Sequence, residues 1–289
     1  SMGKDRDSEV KAICEESDVI IMCLGLDSGL EGEEGDQGNQ YASGDKPNLN
    51  LPGRQQKILE IAYASGKPVV LVILSGSALA IGWADEHIPA IVQGWYPGAQ
   101  GGRAIARVLF GEKNPEGRMP VTFYRTSEEL PEFTDYSMKG RTYRYMREEA
   151  LYPFGYGLSY TEFAYSDVAV SSDAVGTEGV TVRATVTNTG KCEGVETVQV
   201  YVKADREGTP NAQLKGIRKV SLQAGESREI TLQLSAEAFA LYDEQGVNQV
   251  SEGQYLVFVG GVQPDSRSEK LTGKKAAALK VRVEESFAV

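Results

Sequence analysis

The hydrophobic pattern changes period part-way along this chain of 289 residues, and that change limits the folds open to it. In the first half, continuous apolar runs alternate with helical stripes, which is typical of strands buried on both faces of a parallel sheet. In the second half, apolar residues occupy every second position, as they do in the strands of a β-sandwich. The pattern therefore predicts two domains of different class.

The first half predicts an α/β layer sandwich with a mostly parallel sheet, because strands and helices alternate along it. We expect helices over Ser8–Asp18, Arg54–Ser65 and Gly101–Phe110, with a short helical turn at Ser77–Ala84. The expected strands are Val19–Gly25, Pro68–Leu74, Ala90–Trp95 and Met119–Phe123. The first two are predicted to be buried, Val19–Gly25 on both faces, and the last to be an edge strand, where a proline is tolerated.

The second half predicts an all-β sandwich of the fibronectin type III or immunoglobulin kind. Its alternating segments are separated by glycine-containing turns, and they are Val180–Val186, Thr197–Val202, Glu229–Leu234 and Gln254–Val259. The boundary falls in the aromatic, glycine-rich segment Leu151–Phe163. We therefore assign residues 1–160 to the α/β domain and residues 161–289 to the β-sandwich.

The net charge of −11 argues against a nucleic-acid partner, since phosphates require a basic face and both halves of the chain are acidic. No apolar run approaches the roughly 20 residues of a membrane-spanning helix, so we expect a soluble chain without a membrane partner. No signal peptide is visible, which favours the cytoplasm, although a fragment of a longer protein leaves the compartment open.

Cysteine and histidine usage excludes several kinds of site. Cys14, Cys23 and Cys192 form no CxxC pair and predict reduced, mostly buried thiols. The single histidine, His87, excludes histidine-rich zinc sites and is interpreted as a polar loop residue leading into a strand. We expect neither a metal nor a cofactor.

The long polar segment from Leu26 to Leu51 is the main candidate for chemistry, since ligands bind beyond the carboxyl ends of parallel strands. Neighbouring negative charge raises the pKa of a carboxyl group, and a raised pKa suits a general acid. The same composition also fits a solvated loop, or a calcium loop, although the order of a calcium hand is missing. Its clustered carboxylates are Glu31, Glu33, Glu34 and Asp36.

Two further features follow the later strands. Trp95-Tyr96-Pro97 could stack on a sugar ring, although a tryptophan beside a strand is more often part of the core. Gly76-Ser77 and Gly98–Gly102 could present backbone N–H groups to an anion, but they lack a P-loop lysine and a GxGxxG motif, which favours a tight strand-to-helix turn.

Taken together, these motifs resemble glycoside hydrolase family 3, the β-glucosidase and β-xylosidase family. The resemblance covers nearly the whole chain after residue 8. The segments that carry it are Glu31–Asp36, Asn48–Gln55, Lys67–Val72, Trp95–Gly98 with Gly101-Gly102, Gly117–Phe123, Arg141–Tyr145, the junction signature Tyr152–Tyr160, Gln213–Gly216 and Gly225–Ser227.

The resemblance implies a retaining β-glycosidase that works with two carboxyl groups. The nucleophile belongs to a (β/α)8 barrel, in a Ser-Asp-Trp type motif, and that barrel is expected to be absent from this chain. The general acid/base is a glutamate of the acidic loop. Glu33 matches the family's Glu-x-x-Asp-Arg pattern through Asp36, but Gln37 stands where arginine is common, so Glu31 and Glu34 stay open as alternatives.

We therefore expect the C-terminal part of an exo-acting enzyme that hydrolyses terminal β-D-glucosyl or β-D-xylosyl residues, inactive without its barrel. The expected partners are a β-linked oligosaccharide or glycoside, the barrel domain and, as an open alternative, further copies of the chain. The rival interpretation is a non-catalytic carbohydrate-binding or scaffolding module pair.

Overall fold

The computed structural model describes residues 6–27, 30, 46–132, 134–243 and 245–289. The chain divides into two compact units. The first unit contains residues 1–110 and 123–132, and the second contains residues 111–122 and 133–289. The boundary expected at residue 160 stays a prediction about domains.

The first unit is built on a three-stranded parallel sheet. Its elements, in chain order, are α1 (Asp7–Glu16), β1 (Ile20–Gly25), α2 (Gln55–Ala64), β2 (Val69–Leu74), α3 (Gly82–His87), β3 (Ala90–Gln93) and α4 (Gly101–Leu109), followed by a short 3₁₀ turn at Ser127–Glu129. The sheet order is β1-β2-β3, with Met22 opposite Leu71 and Leu71 opposite Ile91. α2 packs against β1 and α1 packs against α2. The α/β layer architecture is thus confirmed.

The second unit is an antiparallel β-sandwich. Its elements are α5 (Thr142–Tyr145), β4 (Phe163–Val170), β5 (Val180–Asn188), β6 (Gly194–Ala204), β7 (Gln213–Leu222), β8 (Ser227–Leu234), a 3₁₀ turn (Ala236–Phe239), β9 (Leu241–Tyr242), β10 (Asn248–Val250), β11 (Gly253–Gly260), α6 (Ser266–Thr272), β12 (Ala277–Val283) and β13 (Phe287–Ala288). One sheet has the order β12-β11-β6-β7, the other has the order β4-β5-β8, and a small sheet has the order β13-β10-β9.

The sandwich core follows the alternation seen in the sequence. Inward residues of the two larger sheets pack into one apolar cluster, while the intervening residues point away from it. Its members include Val182, Ala184, Val186, Val198, Val200, Val202, Ile230, Val257 and Val259. The predicted fibronectin type III-like sandwich is confirmed.

Strand β1 is exposed on one face, so the prediction that it is buried on both faces was wrong. Val19 and Ile21 are 53% and 47% exposed, and Cys23 is exposed as well, while Leu24 is partly covered. Ile21 and Cys23 share one face of this edge strand, and Val19 directly precedes the strand. Among the described residues, α2 packs against the strand, and the face that carries Ile21 stays open. Cys192 is also exposed, so the prediction of mostly buried thiols was wrong.

Met119–Phe123 does not form the predicted edge strand. Met119 donates from its N–H to the Tyr156 carbonyl at 2.8 Å, and its own carbonyl accepts from the Gly155 N–H at 2.7 Å. Pro120 follows directly, and a proline has no N–H with which to extend such a pairing. The segment therefore pairs at Met119 and in an isolated bridge at Phe123 rather than along a continuous ladder.

The helix after β2 begins later than predicted and runs through His87. His87 is therefore not a loop residue. Its ring stacks on Trp83 with centroids 4.4 Å apart, and Tyr63 meets both rings edge-on. Nδ1 lies 2.8 Å from the Trp83 carbonyl, which only accepts, so Nδ1 carries the hydrogen. These contacts give His87 a packing role.

The junction signature lies on the outer face of the four-stranded sheet of the second unit. Gln199 donates from Nε2 to the carbonyls of Gly155 at 2.9 Å and Gly261 at 2.8 Å, and the Tyr201 hydroxyl donates to Gln199 Oε1 at 2.6 Å. Burial raises the pKa of Tyr201 well above its usual range, so the hydroxyl keeps its hydrogen. The glycine lets the two backbones approach, because a Cβ at Gly155 would overlap Gln199 Oε1.

Gly155→Ala is expected to destabilise the second unit much more than Gly208→Ala. Both glycines have left-handed backbone, with φ of 78° and 79°, but a Cβ at Gly208 meets open space. The left-handed conformation alone costs about 1–2 kcal/mol for a residue with a Cβ, and Gly155→Ala adds the steric overlap. Urea denaturation of the two variants measures the difference. Equal losses of free energy of unfolding would contradict the close approach.

Candidate functional site

The carboxyl edge of the parallel sheet is where the acidic loop joins the first unit. Glu31, Glu33, Glu34 and Asp36 lie outside the described residues, so their placement stays a prediction. The structure does describe where the chain leaves β1 and where it returns to α2. Those two ends lie at the edge at which ligands bind in open parallel sheets.

Gln55, at the start of α2, holds the outgoing end of the loop, where the chain leaves β1, through two hydrogen bonds. Its Nε2 donates to the Gly25 carbonyl at 2.8 Å, and its Oε1 accepts from the Gly25 N–H, also at 2.8 Å. The Leu26 N–H then donates to the Leu74 carbonyl at 2.8 Å. Gly25 has a φ of 138°, and a Cβ there would overlap the Leu74 carbonyl. Glycine is thus required where the chain turns off the sheet.

The returning end of the loop is held by backbone and side-chain bonds. The Leu49 carbonyl accepts from the Ala80 N–H at 2.7 Å, and the Leu49 N–H donates to Ser127 Oγ at 2.8 Å. The apolar residues that flank the loop, Leu26, Leu30 and Leu51, are each at least nine-tenths buried. The loop is therefore anchored at both ends by hydrogen bonds of part-buried groups and by buried leucine side chains.

The neighbouring strand ends complete this edge. Buried Ser75 donates from Oγ to the Ser77 carbonyl at 2.6 Å, and Gln93 donates from Nε2 to the Ser75 carbonyl at 3.0 Å. Trp95 adopts a φ of 55° after β3 and meets Phe123 edge-on at 6.1 Å. Left-handed backbone in a bulky residue is strained, and such strain gathers at functional sites.

The candidate sugar-stacking and anion-binding features fall at the same edge. Trp95 is half-buried against Phe123, while Tyr96 is 50% exposed and its ring lies where a Cβ at Gly76 would be. The Gly101 N–H donates to the Gly98 carbonyl at 3.0 Å, which closes a turn before α4. This geometry supports the tight-turn interpretation of the glycines and leaves Tyr96 as the aromatic ring that faces solvent.

Comparison with known protein families identifies the family of the chain that contains this sheet edge. Residues 3–160 match the model described as "Glycosyl hydrolase family 3 C-terminal domain", and residues 196–263 match the fibronectin type III-like domain. The chain belongs to glycosyl hydrolase family 3. The family resemblance of the sequence motifs is therefore confirmed.

Curated relatives of this family 3 chain carry glycosidase names. It is 41% identical over 259 residues to a xylan 1,4-β-xylosidase of Xylanibacter ruminicola, an alignment that covers 88% of this chain and 30% of that protein. It is 35% identical over 269 residues to a periplasmic β-glucosidase of Salmonella typhimurium, covering 88% of this chain and 34% of the relative. The chain thus spans about a third of the length of these proteins.

Solved structures agree on the fold. A β-glucosidase from Erythrobacter marinus matches with a TM-score of 0.81 at 32% identity, covering 96% of this chain and 36% of that one. The isofagomine complex of a β-glucosidase from Listeria innocua matches with a TM-score of 0.79 at 28% identity, covering 98% and 39%. None of the helices in the described part of the chain combines the length and apolar character needed to cross a bilayer.

Gln55 ends the family-like segment Asn48–Gln55, but the sequence patterns did not reveal that it holds the root of the loop, because a glutamine at the start of a helix has no distinctive signal. Gln55→Leu is expected to lower the free energy of unfolding of the first unit by about 1–3 kcal/mol, since the buried Gly25 N–H and carbonyl lose their partners.

The adjacent Gln56→Leu is the matched control. Among the described residues, the Gln56 side chain bonds to Glu60 on the surface of α2, at 2.9 Å, so the loss on Gln56→Leu should stay within about 0.5 kcal/mol. Denaturation and hydrogen exchange at the Gly25 amide measure both effects. Equal behaviour of the two variants would show that Gln55 does not hold the root of the loop.

Proposed function

We propose that this chain is the C-terminal part of a retaining, exo-acting β-glycosidase that hydrolyses terminal β-D-glucosyl or β-D-xylosyl residues. Its contribution is the general acid/base, Glu33. The observation that carries the proposal is the acidic loop, which both leaves and re-enters the first unit at the carboxyl edge of a parallel sheet in a family 3 domain.

The first chemical step needs a protonated Glu33. Its proton passes to the glycosidic oxygen as the bond from that oxygen to C1 breaks, while a carboxylate of the barrel attacks C1 and forms a glycosyl-enzyme. The sequence places Glu31, Glu34 and Asp36 beside Glu33. Negative charges close to a carboxyl group favour its protonated form. The departing alcohol leaves with the proton.

The second step uses the same residue as a base. The Glu33 carboxylate removes a proton from water, the water oxygen attacks C1, and the bond from C1 to the barrel carboxylate breaks. Two displacements at C1 retain the anomeric configuration. The mechanism requires the two carboxyl groups to lie about 5–5.5 Å apart, so the loop must reach the sugar site of the barrel.

Described residues hold both ends of the loop that must reach the barrel. Gln55 and Leu49 fix the two ends of the loop, and Glu31, Glu33 and Glu34 lie between these ends in the sequence. Without the barrel the nucleophile is missing, and the chain is inactive. The deciding experiment compares Glu33→Gln with Glu31→Gln and Glu34→Gln in the complete protein, on glycosides with good and poor leaving groups.

A further inference from the structure

Strand β1 forms one edge of the parallel sheet, and its outer edge pairs with no other strand of the described residues. From Ile20 to Gly25 it contains neither a charged residue nor a proline. Natural proteins usually protect an exposed edge with such residues, because the unpaired N–H and carbonyl groups of an edge recruit another strand. Parallel sheets are also normally covered on both faces. The composition of β1 is therefore that of a strand with a neighbour on each side.

The existing hydrogen bonds show which backbone groups of β1 point to the outer edge. The N–H groups of Ile20 and Leu26 donate to carbonyls on the side of β2, at 2.9 and 2.8 Å. Successive residues of a strand direct their backbone groups to opposite sides, so the residues at even positions face β2. The N–H and carbonyl groups of Ile21 and Cys23 consequently point to the outer edge.

Gln55 already occupies one end of this outer edge. Its side-chain amide bonds to both the N–H and the carbonyl of Gly25, each at 2.8 Å, as a neighbouring strand would. The backbone groups of Ile21 and Cys23 have no such partner among the described residues. Both side chains are exposed, that of Ile21 to 47%. The outer edge is thus closed at Gly25 and open along the residues before it.

Helix α1 indicates which segment belongs beside the open edge. It directly precedes β1 and packs against α2, and Asp7 at its start pairs with Lys57 of α2 at 2.7 Å and with Arg54. Since α2 packs against β1, both helices lie in the layer that covers the same face of the sheet.

The handedness of parallel crossovers then fixes the side. A connection from strand to helix to parallel strand is right-handed in about 98% of cases. Two such connections that use the same face must step across the sheet in the same direction. The step from β1 through α2 leads to β2, so the step through α1 into β1 must start on the other side of β1. A strand that precedes α1 therefore lies at the outer edge.

We infer that β1 is an inner strand in the complete protein, where the part of the chain upstream of α1 adds a parallel strand along Ile21 and Cys23. The added strand ends before Gly25, whose groups are taken by Gln55. The inference rests on the proposed function only in treating this chain as the C-terminal part of a longer protein. In support, the chain spans about a third of the length of the curated relatives it matches.

Amide hydrogen exchange in this chain and in the complete protein tests the inference. The Ile21 and Cys23 amides should exchange rapidly in this chain and about a hundredfold or more slowly in the complete protein. The Met22 amide points to β2 and should be protected in both. Exchange is read without any substrate, so its outcome is separate from that of the Glu33→Gln kinetics, which test the proposed function.

Ile21→Pro and Met22→Pro form a matched pair of variants. Proline removes an N–H group, which a strand tolerates at an open edge and not inside a ladder. Ile21→Pro should therefore lower the melting temperature by several degrees more in the complete protein than in this chain, while Met22→Pro should destabilise both.

Three results would overturn the inference. Rapid exchange of the Ile21 and Cys23 amides in the complete protein would show that no strand is added. Protection of these amides in this chain alone would show that the edge is already paired, within the chain or by a second copy. Equal losses from Ile21→Pro in the two proteins would show that its N–H gains no partner.

Discussion

In the complete protein, Glu33→Gln is expected to lower kcat/KM for glycosides with poor leaving groups by about 10²–10⁴-fold. An alkoxide leaves badly unless a proton reaches its oxygen as the bond breaks, and glutamine has no proton to give. An activated aryl glycoside needs little protonation, so the first step should be affected far less. Steady-state kinetics with a series of leaving groups measures the dependence.

Glu31→Gln and Glu34→Gln provide matched controls in the same loop. Each removes one negative charge at a neighbouring position, so each should change the pH profile more than the leaving-group dependence. If Glu31→Gln or Glu34→Gln alone shows the strong leaving-group dependence, that residue is the acid and Glu33 is not. If none of the three shows it, the acid does not lie in this loop.

Arg118→Met is expected to cost the second unit about 3–5 kcal/mol at neutral pH, because it leaves a buried carboxylate without its cation. Arg118 Nη2 lies 3.0 Å from Glu196 Oε2, and the Tyr165 hydroxyl donates to Glu196 Oε1 at 2.8 Å. The side chains of Arg118 and Glu196 are 10% and 5% exposed. The pair holds the segment 111–122 to strand β6.

The loss should depend on pH in a defined direction. Burial raises the pKa of Glu196 above its ordinary value of 4.5, while Arg118 lowers it. A raised folded-state pKa means that stability falls as pH rises from 4.5 through that pKa. Removing Arg118 raises the pKa further, so the penalty is largest near neutral pH and shrinks as Glu196 takes up a proton in acid.

The double variant Arg118→Met/Glu196→Gln tests the cause of this penalty. With no carboxylate to protonate, its stability relative to Glu196→Gln should lack the pH dependence, and most of the loss seen in Arg118→Met should be recovered. Urea denaturation at several pH values measures all four proteins. A small, pH-independent loss in Arg118→Met would contradict a buried ion pair that fixes the segment.

Much of the fold could be predicted because period and burial agree over long segments. The runs at Pro68–Leu74 and Val180–Val186 form strands as expected, since each lies inside a sheet. The prediction failed where the sheet ends. Ile21 belongs to an apolar run but lies on an edge strand, and an apolar pattern does not encode how many neighbours a strand has.

The candidate sites differ in how far the sequence revealed them. Clustered glutamates and a long glycine-rich loop are visible locally, so the acidic loop could be proposed from composition and spacing. The contact that holds the outgoing end of this loop could not be foreseen, because Gln55 and Gly25 lie 30 positions apart in the chain and meet only in the folded unit. No local pattern records such a meeting.

The central claim is that Glu33 transfers the proton in both steps of a retaining reaction. The most direct measurement is the hydrolysis of an activated aryl β-glycoside by the complete Glu33→Gln protein in the presence of azide. Azide needs no base to attack C1 of the glycosyl-enzyme, so turnover should recover and yield a β-glycosyl azide of retained configuration, identified by NMR. No recovery and no azide product, with an otherwise folded protein, would contradict the claim.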